Sequence, residues 1–215
     1  MRTAIAVLSL LVLLAAQTAL GAPGAGDTAD RVQKRYESVK AFHANFSQEI
    51  THAASGKVTR RTGRIWFQQP SLVRWEAQNP EEHIVIGPQA TWEYVPAEKV
   101  LIKHKTEQLL SSKTVFKFLS GKANLKKDFQ VQEQGQENGL IKLRLVPHQP
   151  EYQMVLAYIW VDPKTSLLRQ ILVVNFNGDG NQIALTGLVL DQKLNPKLFQ
   201  FTPPAGLEVQ DNTRQ

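Results

Sequence analysis

Between Gly63 and Pro96 the chain alternates bulky apolar and polar residues in short runs broken by turn residues. A two-residue period of that kind belongs to β-strands and to nothing else in the regular repertoire. On residues 63–68, Gly63, Ile65 and Phe67 point one way while Arg64, Trp66 and Gln68 point the other. Val73, Trp75 and Ala77 then share a face opposite Leu72, Arg74 and Glu76, and Trp92 and Tyr94 share one opposite Thr91 and Glu93. Three of the four tryptophans fall in this stretch, with no catalytic group beside them. The set reads as a broad apolar floor that helices or a greasy ligand must cover.

The rest of the chain extends the pattern. Val32, Tyr36 and Val39 recur at helical spacing, which predicts a helix over 28–41 with Asp27 or Thr28 as its cap. From Phe42 the period drops to two, through Ala44, Phe46, Gln48 and Ile50. Strands follow at 58–68, 72–78, 83–87, 90–95 and 99–104, separated by turns such as Gln69-Pro70-Ser71 and Asn79-Pro80. Residues 106–121 interrupt them: Leu109, Leu110, Val115, Phe116, Phe118 and Leu119 have helical spacing, and Gly121 ends the run. Strands resume at 128–134, 139–146, 152–161, 167–176 and 182–191, with hairpin signals at 137–139, 162–165 and 177–181. About ten or eleven short strands at this spacing predict a mainly β (α+β) fold. It is a single curled antiparallel sheet, an incomplete β-barrel, with short helices as a lid.

The N-terminus sets the expected compartment. Arg2 precedes an apolar run over Ala4–Ala16, and Ala19 and Gly21 are small residues suited to cleavage before Ala22. Residues 1–21 therefore read as a secretory signal peptide, and 22–215 as one exported, soluble domain. The chain has no cysteine, so it has neither a lipid-attachment thiol nor disulfides, and its core alone must hold it. Removing Arg2 lowers the formal charge of +6 by one. The remaining charges are scattered, with Arg60-Arg61 and Lys126-Lys127 the densest pairs, which argues against nucleic acid as a partner.

Catalytic chemistry is missing. The histidines at 43, 52, 83, 104 and 148 have no metal-ligand spacing, no serine sits in a nucleophile elbow, and no thiol exists. Glu81 and Glu82 read as surface acids in a turn after Pro80, and Gly178 and Gly180 as a hairpin rather than a phosphate loop. No catalytic residue, metal or cofactor is expected, and the chain is read as a binding protein.

One family ties these residues together. They run from Phe42-His43-Ala44-Asn45-Phe46-Ser47-Gln48, through Gly63…Trp66…Gln69-Pro70…Arg74-Trp75…Pro80 and Trp92-Glu93-Tyr94-Val95-Pro96, to Phe199…Phe201-Thr202-Pro203-Pro204-Ala205-Gly206. In this order and spacing the chain resembles the LolA family of periplasmic lipoprotein carriers of Gram-negative bacteria. The resemblance implies a monomeric periplasmic carrier of acylated lipoproteins. The carrier would take cargo from an ATP-driven inner-membrane transporter and hand it to an outer-membrane receptor. On this reading Phe46, Ile65, Phe67, Val73, Trp75, Ile84, Trp92 and Tyr94 line the acyl-chain floor, and Val115, Phe118 and Leu119 form the lid. Gln69 takes the latch position, where well-studied members often carry arginine, and Arg64 or Arg74 is its possible substitute. Val73 stands where some members have an aromatic. The alternative is a carrier or sensor of another lipid or glycolipid on the same fold.

Overall fold

The computed structural model describes residues 25–107, 109, 115–119 and 123–214. The proposed signal peptide, residues 1–21, lies outside them. Helix α1 (Ala25–Ser38) leads into a twelve-stranded sheet. The first half of the sheet holds β1 (Ala41–Thr51), β2 (Val58–Gln68), β3 (Leu72–Gln78), β4 (Glu82–Ile86), β5 (Thr91–Val95) and β6 (Val100–His104). Two short helices, α2 (Val115–Leu119) and α3 (Leu125–Asp128), precede the second half. That half holds β7 (Phe129–Glu137), β8 (Leu140–Pro147), β9 (Leu156–Val161), β10 (Leu168–Val174), β11 (Gly180–Leu190) and β12 (Val209–Asp211).

The order β12-β6-β5-β4-β3-β2-β1-β11-β10-β9-β8-β7 ends on β12 and β7, which do not pair with each other, so the sheet is not closed into a barrel. Every pairing is antiparallel except β12 with β6. The extra strand beyond the expected count is β12, three residues long and without readable alternation. β7 is a protected edge: it is rich in Gln and Glu and carries a bulge beside Gly135. The β7–β8 turn has both Asn138 and Gly139 at positive φ, as a two-residue Asn-Gly hairpin requires.

The two faces of the sheet are covered differently. Its inner face carries the main core, drawn from β1–β4 and β7–β11 and roofed by α1, α2 and α3. α1 contributes Ala29, Val32 and Tyr36, and Val39 follows just after it. It begins at Ala25, so Asp27 and Thr28 lie within the helix instead of capping it, and buried Thr28 donates to Glu133 of β7. The outer face of β2–β6 is covered by the C-terminal segment. Phe199 and Leu194 pack with Ala41, Trp66 and Leu72, and Arg74 donates to the carbonyl of Leu198. Gly87 is needed there: a Cβ would sit 2.5 Å from the Phe199 carbonyl oxygen.

Candidate functional site

The inner floor is built by register. Phe46 of β1 faces Gly63, Ile65 of β2 faces Trp75 of β3, and Trp75 faces Ile84 of β4. Phe67 and Val73 form the next cross-strand pair, toward the start of β1. All six side chains are buried in the main core. Phe46 and Trp75 stack with centroids 3.6 Å apart and planes at 14°. Phe116 of α2 meets Trp75 edge-on at 5.6 Å, which makes Phe116 the helix residue that touches the floor's largest ring. The sequence placed Phe116 on a helix but left it out of the lid. Phe118 instead packs on Phe129 at 5.5 Å, and Leu119 is buried in the same core. The Val115 side chain lies outside the described residues.

Trp92 and Tyr94 require a correction. Trp92 pairs with Val85 and Tyr94 with His83, so both point to the outer face, where Phe201 covers them at 5.9 and 6.1 Å. In their place β5 turns Thr91 and Glu93 inward, opposite Ile86 and Ile84. Thr91 meets the Thr106 hydroxyl, and Glu93 meets His104 Nε2 at 2.9 Å. The cause of the misreading is β4. Ile84, Val85 and Ile86 are all apolar, so alternation cannot say which of them is inward, and the phase of β5 stays open.

Gln69 stands where α1 joins the sheet. Its backbone N–H donates to the Lys40 carbonyl, and its Nε2 donates to the Glu37 carbonyl in the last turn of α1 at 3.2 Å. Arg64 and Arg74 are not substitutes: both hold Glu76 on the outer face. Further along α1, the buried Tyr36 hydroxyl accepts from the Leu168 N–H, and burial pushes its pKa up to about 12. Leu125 N–H donates to Gln33, and Lys126 pairs with Asp30. Beneath these contacts lies an apolar cleft between Val32, Tyr36, Phe118, Leu125, Ile159 and Leu168. Its free space is about 20 Å³, room for about one water.

The opposite end of β1 is polar. Arg61 pairs with Glu82 at 2.9 Å and donates to Gln48, which in turn donates to Asn181. Glu82 is therefore a buried ion-pair partner, and the expectation of a surface acid fails for it while holding for exposed Glu81. Among the described residues, the floor holds a polar atom that is left over. Trp75 Nε1 has no hydrogen-bond partner, although Trp75 is 2 % exposed. An unmet buried donor costs about 1–3 kcal/mol.

Comparison with known proteins decides the family. Residues 37–202 match the family described as outer membrane lipoprotein carrier protein LolA. The chain belongs to the LolA family. Among curated LolA-type relatives, an outer-membrane lipoprotein carrier protein of Methylococcus capsulatus is 31% identical over 184 residues, covering 83% of this chain and 85% of its own. One from Nitrosomonas europaea is 25% identical over 201 residues, covering 93% and 97%. Among solved structures, an uncharacterized conserved protein from Thermus thermophilus superposes with TM-score 0.54 at 14% identity, over 87% of this chain and 99% of that one. That likeness concerns the fold. Among the described residues no helix is long and apolar enough to cross a membrane.

Proposed function

We propose that this protein is a soluble periplasmic carrier that shields the acyl chains of lipoproteins and delivers them to the outer membrane. The observation that carries this reading is the roof over the inner floor. Among the described residues, an open twelve-stranded sheet buries its aromatic face under helices, not under a second sheet. Short helices are a displaceable cover, and each methylene that replaces them on the floor gains about 0.8 kcal/mol. Family membership agrees with that chemistry.

In this reading Phe46, Ile65, Phe67, Val73, Trp75 and Ile84 receive the chains. Val115, Phe116, Phe118 and Leu119 belong to the lid, and Gln69 latches α1 through the Glu37 carbonyl. Cargo comes from an ATP-driven inner-membrane transporter and leaves to an outer-membrane receptor that binds it more tightly. The carrier itself performs no catalysis. The test is to purify the protein from periplasm under native conditions and identify the acylated species it holds by mass spectrometry. Lipoproteins are the expected species; glycolipid or free lipid in their place overturns the reading.

A further inference from the structure

Trp75 carries a feature that a purely apolar floor does not need. Phe46 stacks on its ring and Phe116 meets it edge-on, contacts that phenylalanine would serve as well. Its indole N–H, buried in the main core, has no acceptor. The rings around it offer at most a weak π acceptor. A tryptophan that packs by its rings and leaves its side-chain donor unmet holds that donor for a ligand's acceptor.

We propose that Trp75 Nε1–H donates to an acyl carbonyl oxygen of the bound lipid. This inference rests on the carrier reading and names the chemistry its floor recognises: ester- or amide-linked chains in preference to bare hydrocarbon. When the lid opens and chains replace Phe116, the carbonyl at the head of a chain supplies the one acceptor the floor lacks. A site with a buried donor discriminates against ligands that leave the donor unpaired. The bond also fixes how far the chain slides along the floor, because methylenes alone give no register. The same carbonyl chemistry is shared by lipoprotein diacylglycerol and by phospholipid.

The test compares three probes on native protein and on Trp75→Phe. They are a dipalmitoylated lipopeptide, its di-ether analogue with the same chains, and a dipalmitoyl phospholipid. Native protein is expected to bind the ester lipopeptide about tenfold tighter than the ether, a difference of about 1.4 kcal/mol. Trp75→Phe is expected to bind both at the ether's affinity. In ¹⁵N-labelled native protein, the indole signal that disappears in Trp75→Phe should move downfield with the ester and stay in place with the ether. Equal ester and ether affinities in native protein, or an unmoved signal, would overturn this inference while the carrier reading stood. Binding of the phospholipid alone, with the downfield shift, would keep the hydrogen bond and overturn the lipoprotein cargo. Binding of no probe would overturn both.

Discussion

Phe46 and Trp75 stack at 3.6 Å across two strands, with the Phe46 ring lying over the bare backbone of Gly63. The glycine is what permits the stack: a Cβ at 63 would stand 2.5 Å from Phe46 Cζ and 2.0 Å from the Glu76 carbonyl oxygen. The sheet leaves a hole in one strand and fills it with a ring from the next, which strengthens the pairing of both.

Gly63→Ala is therefore expected to destabilise the protein by roughly 3 kcal/mol, because one of the clashing atoms is backbone and no rotamer relieves it. Urea unfolding should show a lower midpoint with an unchanged slope. A midpoint within error of native would mean that the stack does not depend on the glycine.

In the proposed carrier Gln69 acts as a kinetic latch. Gln69 gives α1 one neutral, exposed hydrogen bond, so Gln69→Ala should cost no more than about 1 kcal/mol of stability. It should, however, speed the entry of an apolar fluorescent probe several-fold. Gln69→Arg, with a charge-assisted donor fork, should slow entry. Stopped-flow traces that are identical for the three proteins would remove Gln69 from the gate.

Tyr36 predicts an alkaline limit. Its pKa is raised from 10 to about 12 by burial, so the native state prefers the neutral phenol. The corresponding stability is fully present below pH 10 and is lost as pH rises from 10 towards 12. Tyr36→Phe should remove that limb, while leaving the Leu168 N–H unmet at a cost of about 1–3 kcal/mol. Urea midpoints measured at pH 8 and pH 11 in both proteins check the sign.

Asp179 governs the acid side of one hairpin. Asn175 and the Ala53 N–H hold its carboxylate below the ordinary value, with His52 adding attraction. A depressed carboxylate contributes stability above its unfolded pKa of about 3.9, lost as pH falls through the native value. Asp179→Asn should show a smaller difference in urea midpoint between pH 6 and pH 3 than native protein.

Much of this was readable beforehand where a strand has one wet and one dry face. β1, β2 and β3 alternate cleanly, so the buried faces of Phe46, Ile65, Phe67, Val73 and Trp75, five residues of the inner floor, are legible in the sequence. Legibility failed where both faces are covered: apolar Ile84-Val85-Ile86 hides the phase, and the segment that buries Trp92 and Tyr94 lies more than a hundred residues away at Phe201. Strand β9 is shorter than the 152–161 that its sequence predicts. Residues 152–155 carry strand-like apolar residues, yet Tyr152 leaves the ladder to stack on Phe176 at 6.0 Å. Glu82 was misplaced because its partner Arg61 comes from another strand, which no local pattern announces.

The chain's lack of cysteine makes the central claim directly testable, because introduced thiols are the only ones present. Lys117 of α2 pairs with Glu151 at 3.5 Å, so Lys117→Cys with Glu151→Cys, bridged by a cleavable bis-maleimide, ties the lid shut. Each protein is added to spheroplasts making a tagged, outer-membrane-directed lipoprotein, and the soluble fraction is probed for an equimolar complex. The account predicts release by native protein, none by the bridged variant, and recovery when the bridge is cleaved. Release by the bridged variant at the native level, or no release by folded native protein, would contradict it.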